Sequence, residues 1–129
     1  MREHWEVFEG QQFRHKRRTE PRVTLGFKNT FYLNGLAHEG MGEPEAVELM
    51  YDGNRRLIAM RPVDPQRKNA FKVIPHAKGT YRRVSAAAFC QHFRIRVQGT
   101  ILFEGVDFDP EGTMILDLGR TTTVTSGAR

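Results

Sequence analysis

The sequence predicts an α+β, β-rich fold: one compact, barrel-like domain made from two similar units, each a strand, a short helix and a β-hairpin. Three observations support this prediction. They are runs of β-branched and aromatic residues separated by turn residues, two short apolar segments that follow helix N-cap candidates, and the repetition of this order along the chain. A chain of 129 residues can bury a core without a disulfide or a metal ion.

The first unit, residues 22–62, opens with two strand-like runs. RVTLGF and TFYL lie on either side of Lys28 and Asn29, which form a candidate two-residue turn. Asn34 then occupies a helix N-cap position, and Gly42 follows the end of a helix of about two turns. Because so short a helix is not stable alone, it must be stabilised by tertiary packing.

A β-hairpin completes the first unit. EPEAVELMY is predicted to be one strand, residues 52–54 the turn, and RRLIAMR the return strand. The return strand ends at Pro62, because proline cannot donate a hydrogen bond to the ladder. A polar loop over 63–70 and a short strand over 71–74 lead to the second unit.

The second unit, residues 79–119, repeats this order. TYRRV is strand-like, Ser85 occupies the N-cap position and AAAFCQHF supplies a short helix. GTILFEGVDF at 99–108 is predicted to be a single strand, followed by a turn at 109–112 and the return strand TMILDL.

Two segments flank these units. Residues 1–21 are predicted to form an N-terminal arm, in which Trp5, Phe8 and Phe13 stand at roughly helical spacing before the basic run RHKRR. This run is either solvated or a contact for phosphates. Residues 120–129 show no apolar periodicity and are predicted to be a flexible tail.

Charge is unevenly distributed along the chain. The formal net charge is +5, but residues 54–83 hold nine Lys or Arg against Asp64 alone, a local charge of +8. Residues 39–52 and 104–117 each carry five acids and no base. Such a basic zone is typical of a protein with a polyanionic partner. The alternative is that acidic and basic stretches pair across strands, within one chain or between subunits.

The nucleic-acid interpretation assigns phosphate contacts to eight residues of this basic zone. They are Arg55, Arg56, Arg61, Arg67, Lys68, Lys72, Arg82 and Arg83. Base readout would need a side chain such as Arg61, Asn54 or Asn69 to reach the major groove on a two-stranded ribbon. The competing interpretation is a non-enzymatic protein-interaction or oligomerisation module that uses the same basic zone.

No catalytic, metal-binding or cofactor-binding motif is recognisable in the sequence. The five histidines lack H-x-x-x-H spacing, and Cys90 and His92, two positions apart, fall on different faces of a helix. An enzyme or ligand-binding domain would need a pocket that collects several of Asp64, His76, Tyr81, Cys90 and His92. We therefore expect a non-enzymatic protein without a cofactor.

The sequence also bears on the cellular compartment. Cys90, the single cysteine, lies among small and apolar residues, which indicates a buried, inert thiol and a reducing environment. The N-terminus lacks the apolar core of a signal peptide, and no stretch approaches the ~18 apolar residues of a membrane span. We expect a cytoplasmic protein that does not associate with membranes.

Four segments of the first unit resemble a known family. They are VTL at 23–25, the capped helix from Asn34 to Gly42, VELMYDG at 47–53 and LIAMRP at 57–62. Together they are similar to the AbrB/MraZ-type swapped-hairpin transcriptional regulators, and the MraZ branch also carries two such units in one chain. The resemblance implies a sequence-specific protein that binds duplex DNA, forms homo-oligomers and meets the DNA with basic residues on exposed sheet and loop surfaces.

Overall fold

The computed structural model of the chain describes residues 20–124, which form two antiparallel sheets and two short helices. The strands are, in chain order, β1 (Val23–Leu25), β2 (Thr30–Asn34), β3 (Ala46–Asp52), β4 (Leu57–Pro62), β5 (Phe71–Lys72), β6 (Ile74–His76), β7 (Tyr81–Ser85), β8 (Thr100–Phe103), β9 (Val106–Phe108), β10 (Met114–Asp117) and β11 (Thr121–Val124). Helix α1 (Gly35–Gly40) follows β2, and helix α2 (Ala87–Phe93) follows β7. The predicted α+β, β-rich class is confirmed.

The strands are divided between a six-stranded and a five-stranded sheet. The six-stranded sheet has the order β11-β8-β1-β2-β7-β6, and the five-stranded sheet has the order β5-β3-β4-β10-β9. Within residues 20–124 each sheet ends in two edge strands that do not pair with each other, so neither sheet is a closed barrel, and the barrel-like part of the prediction is wrong. The predicted first hairpin is present, with β3 and β4 in register from Val47 opposite Pro62 to Asp52 opposite Leu57.

A single hydrophobic core joins the two sheets and both helices. Its side chains follow the alternation of each strand, since every second residue of a strand faces the same side of the sheet. The fully buried strand residues include Val23, Leu25, Phe31, Leu33, Val47, Ile58, Met60, Val84, Met114 and Leu116. Burial of each such side chain contributes about 1.5–3 kcal/mol to the stability of the fold. Because these residues come from both halves of the chain, the two halves share one core.

Helix α1 begins at the predicted cap. Asn34 Oδ1 accepts hydrogen bonds from the backbone N–H groups of Ala37 and Arg22, each at 2.9 Å, and its Nδ2 donates to the Glu20 carbonyl at 3.0 Å. Gly42, with a φ of +87°, lies just past the C-cap, as predicted. One buried side chain thus caps the helix and holds the chain that enters β1.

Helix α2 begins one residue later than predicted, and the prediction that Ser85 caps it is wrong. Ser85 is the last residue of β7, opposite Thr30 of β2. Ala86 takes the N-cap position without a side-chain hydrogen bond, and its N–H donates to the Asn29 carbonyl at 2.8 Å. Pairing with β2 therefore extends the strand through the residue that the sequence favours as a cap.

Two segments that were predicted to be single strands are each divided between the sheets. Residues 99–108 form β8 in one sheet and β9 in the other, and the chain crosses at Gly105, where a Cβ would lie 3.2 Å from the Arg120 guanidinium. Residues 71–74 divide in the same way into β5 and the start of β6, and Val73 N–H donates to the Glu45 carbonyl at 3.0 Å between them. Both predictions of one continuous strand are wrong.

The prediction for the flanking segments is partly overturned. Thr121–Val124, assigned to a flexible tail, is strand β11 and pairs with β8, because β-branched threonines suit an edge strand even without apolar alternation. The predicted N-terminal arm lies outside the described residues except for its last two positions, and so do residues 125–129.

The strand order has an approximate twofold relation. In the six-stranded sheet β1-β2 meets β7-β6, and in the five-stranded sheet β3-β4 meets β10-β9. Strands β2 and β7, each followed by a helix, are therefore antiparallel neighbours, and so are β4 and β10. Strands β5, β8 and β11 have no counterpart in this relation, and β8 lies between β1 and β11.

Candidate nucleic-acid interface

Two of the eight predicted contact residues are held by one carboxylate. Arg61 lies opposite Glu48 across β3 and β4, and its Nη2 donates to Glu48 Oε1. Arg67 Nη2 lies 3.8 Å from the other oxygen of the same carboxylate. The predicted alternative, pairing of acids and bases across strands, is therefore present here. It reduces the charge that Arg61 and Arg67 present to an anion.

Arg55 is held in the turn between β3 and β4. Its Nε donates to Asp52 Oδ2 at 2.8 Å, while Asp52 Oδ1 accepts from the backbone N–H groups of Asn54 and Arg55. The Arg55 side-chain hydrogen bond, followed by that from its backbone, holds the pKa of Asp52 below its usual value. Arg55 thus stabilises the Asp-Gly turn, although 74% of its side chain remains exposed.

Arg82 and Arg83 are neighbours on β7 and point to opposite faces of the sheet. Arg83 lies opposite Tyr32 on one side and Ile74 on the other, on the face turned away from buried Val84. Arg82 Nη1 donates to the Gly79 carbonyl at 2.6 Å, so its guanidinium is held beside the turn between β6 and β7. The two side chains are adjacent but do not form one flat surface.

Lys68 and Lys72 lie near the same end of the fold. Lys68 is exposed in the loop between β4 and β5, and Lys72 is exposed on β5, opposite Ala46 and next in space to β7. Within residues 20–124, ion pairs involve Arg55, Arg61 and Arg67 among the eight predicted residues. Lys68, Lys72, Arg82 and Arg83 remain without an ion pair in this part of the chain; they lie on and beside β5 and β7, a region called here the β5–β7 edge, with Lys72 and Arg83 on the outer faces of different sheets.

Arg56 is separated from this edge and has other neighbours. It lines a groove of about 420 Å³ together with Arg94 and Arg96, which follow helix α2. Neither Arg94 nor Arg96 belongs to the predicted basic zone. The structure thus divides the predicted contact residues into an acid-paired set, a set at the β5–β7 edge, and Arg56 in a groove with two arginines that the prediction missed.

A sequence signal for the missed arginines exists. Residues 65–103 contain no Asp or Glu and hold eight Lys or Arg, so the basic zone continues past 83. The members outside the predicted set are Lys78, Arg94 and Arg96. Scanning for the absence of acids, and not for the density of bases, would have included all three.

Helix α2 places Cys90 and His92, two of the five residues named for a possible catalytic pocket, in different grooves. Cys90 is 1% exposed and lines a groove beside Arg94, whereas His92 lines a different groove beside Phe71. Burial raises the pKa of the Cys90 thiol, which disfavours the reactive thiolate. Among residues 20–124 there is no group of three or more His, Cys, Asp or Glu side chains placed to hold a metal ion.

In the described part of the chain, neither helix has the length and apolar character needed to cross a membrane. No protein-family model matches the chain, and no curated protein or solved structure matches it either.

Proposed function

We propose that this protein is a non-enzymatic regulator that binds duplex DNA and is similar to the AbrB/MraZ-type proteins in its double-unit design. The observation that carries the proposal is the acid-free segment 65–103, which has exposed lysines at 68, 72 and 78 and half-buried arginines at 82 and 83, on and between strands β5, β6 and β7. Phosphates would meet no carboxylate from this segment. Neutralisation of backbone phosphates by such side chains supplies most of the affinity in non-specific DNA binding.

The hairpin of β6 and β7 is the element best placed to enter a DNA groove. It forms one edge of the six-stranded sheet, with Lys78 exposed in its turn and Arg82 fixed by its bond to Gly79. Arg83 and His76 lie on its outer face, where the His76 ring stands 5.0 Å from that of Tyr32. A two-stranded ribbon fits the major groove, and an arginine on such a ribbon can reach base edges.

The twofold strand order supports the resemblance that suggested this function. Two similar units related by an approximate twofold axis would place equivalent strands side by side, and β2 with β7 and β4 with β10 are such neighbours. Homo-oligomerisation remains part of the proposal and comes from the resemblance.

The test measures the binding of a fluorescent duplex library by anisotropy at salt concentrations from about 50 to about 300 mM. We expect the logarithm of the affinity to fall linearly with the logarithm of salt, with a slope of about 0.9 per phosphate contacted. The double variant Arg82→Gln/Arg83→Gln should bind more weakly and with a shallower slope. The matched control Arg55→Gln/Arg67→Gln removes the same charge from acid-paired residues and should change binding less. Absence of binding at the lowest salt concentration would reject the proposal.

A second candidate function is an oligomerisation module, and one surface favours it. On the outer face of the five-stranded sheet, Met50, Ala59 and Ile115 lie side by side, half-buried, with Asp107 next in the row. A second copy of the chain packed face to face on this row would bury these apolar side chains. Light scattering of the wild type and Ile115→Lys measures the particle mass. A smaller mass for the variant would support this surface as an interface between copies, and an unchanged mass would reject it.

A further inference from the structure

The groove that contains Arg56 is lined by residues from several separate elements, including β3 and β8. Arg56 comes from the turn between β3 and β4, Arg94 and Arg96 from the loop after α2, and Thr121 and Thr123 from β11. Every charged residue of its lining is an arginine. Ile95 and Leu118, which are nearly buried, provide apolar surface between them. The groove therefore combines three positive charges with hydroxyl groups and has no competing carboxylate in its lining.

Two of these arginines have a left-handed backbone conformation, which five other non-glycine residues of the described chain share. Arg56 and Arg94 have φ values of 57° and 56°, in the left-handed region that favours glycine. Arg94 is the C-cap of α2, where its N–H donates to the Gln91 carbonyl, and Arg56 accepts a hydrogen bond from Leu118 N–H at 3.0 Å. The C-cap and the turn thus fix the positions from which these two arginine side chains leave the backbone.

An adjoining groove extends the same surface. It shares residues 94–97 with the first groove, has a volume of about 490 Å³ and is also lined by Phe27, Asn29 and Gln91. Phe27 is 63% exposed, which is unusual for a large apolar side chain. An aromatic ring beside two arginines suits a planar base attached to a charged tail.

From these observations we infer that the groove of Arg56, Arg94 and Arg96 binds a phosphate-bearing small molecule through its phosphate groups. The guanidinium groups would donate paired hydrogen bonds to phosphate oxygens, and the hydroxyl groups of Thr121 and Thr123 would add single ones. Where the ligand is a nucleotide, its base lies in the adjoining groove against Phe27. This site contains none of Lys68, Lys72, Arg82 and Arg83, so the inference stands independently of DNA binding.

The test is calorimetric titration of the full chain with sodium tripolyphosphate, with ATP and with adenosine. We expect tripolyphosphate and ATP to bind and adenosine to give no heat. Arg94→Gln/Arg96→Gln should weaken tripolyphosphate binding by about tenfold or more, since it removes two charge-assisted partners. The matched control Arg55→Gln/Arg67→Gln, which removes the same charge elsewhere, should bind tripolyphosphate with nearly wild-type affinity.

A second variant separates loss of binding from loss of folding. Arg94→Gly removes the side chain and relieves the left-handed conformation, so its melting temperature should equal or exceed that of the wild type while its tripolyphosphate affinity falls. Equal tripolyphosphate binding by Arg94→Gly and wild type would overturn the inference. A second result would also overturn it: the wild type binds neither tripolyphosphate nor ATP, and Arg94→Gln/Arg96→Gln weakens binding of duplex DNA. The groove would then belong to the DNA surface.

Discussion

Arg61 lies directly across the β3–β4 ladder from Glu48, and the two side chains form an ion pair whose carboxylate also attracts Arg67. The density of bases in the sequence therefore overstates the charge available on this sheet. Two of the eight arginines and lysines proposed for phosphate contact share a single acid, and a third, Arg55, is bound to Asp52. Within residues 20–124, the predicted contact residues without an ion pair are Arg56, Lys68, Lys72, Arg82 and Arg83.

Replacing Glu48 with glutamine should remove the ion pairs of Arg61 and Arg67 and leave both guanidinium groups without an acidic partner. The pair is partly exposed, so we expect Glu48→Gln to change the free energy of unfolding by about 1 kcal/mol or less. If duplex DNA approaches the five-stranded sheet, affinity should rise more in Glu48→Gln than in Asp107→Asn, which makes the same charge change at an exposed site on β9. Anisotropy at low salt measures the difference, and equal gains in the two variants would mean that net charge alone is responsible.

Removing the Asn34 side chain should be among the more destabilising polar substitutions. Asn34→Ala deletes the α1 cap and the two bonds to Arg22 and Glu20 from a residue that is 3% exposed. We expect a loss of about 2–3 kcal/mol in urea unfolding. Ser85→Ala is the control, because Ser85 does not cap α2 and should change stability by less than about 0.5 kcal/mol. Similar losses in both variants would contradict the role given to Asn34.

Two glycines of helix α1 should respond to alanine in opposite directions. At Gly35 a Cβ would meet nothing within 4 Å, so Gly35→Ala should stabilise the protein by about 0.5–1 kcal/mol through helix propensity. At Gly40 a Cβ would lie 2.6 and 2.8 Å from two carbons of the Phe108 ring, so Gly40→Ala should destabilise it by about 1–3 kcal/mol.

A double variant tests the stated cause of the Gly40 effect. Phe108→Leu removes the ring, so Gly40→Ala should cost less in that background than in the wild type. Thermal unfolding of the four proteins gives the coupling, and additive effects would show that the ring is not responsible.

The Asp52 carboxyl should titrate below its usual range, and Arg55 should be the main cause. A carboxyl whose folded pKa is lowered contributes stability that is present above about pH 4 and is lost as pH falls through the folded pKa. In Arg55→Gln the pKa of Asp52 should rise toward that of an ordinary aspartate. Carbon-detected NMR titration of the carboxyl group measures this shift, and an unchanged pKa would assign the effect to the backbone N–H groups.

The sequence predicted the features of the fold that depend on neighbouring residues. The Asn34 cap, the terminating Gly42 and the β3–β4 hairpin each follow from a short stretch whose chemistry leaves few alternatives. The crossing at Gly105 was not predictable in this way, because residues 99–108 read as one favourable strand and only their partners in two different sheets divide them. The prediction that Ser85 caps α2 was wrong for the same reason, because pairing with Thr30 keeps Ser85 in strand β7.

The candidate sites show the same limit. Charge density located the arginines at 82 and 83, but acids on a facing strand decided which other bases are neutralised. The groove of Arg56 and Arg94 joins residues far apart in the chain, and their left-handed backbone conformation becomes visible only in three dimensions.

The pairing of the two halves also determines how this chain can fold. Strand β1 is flanked by β8, with Thr24 opposite Leu102, and β4 is flanked by β10, with Ile58 opposite Leu116. Neither sheet gains its central partners until most of the chain has left the ribosome. Contacts so distant in sequence make folding slow compared with that of a helical bundle, and the half-made chain exposes two unsatisfied strand edges in the meantime. Each sheet is therefore completed only after residues 100–117 are available to pair with strands of the first half.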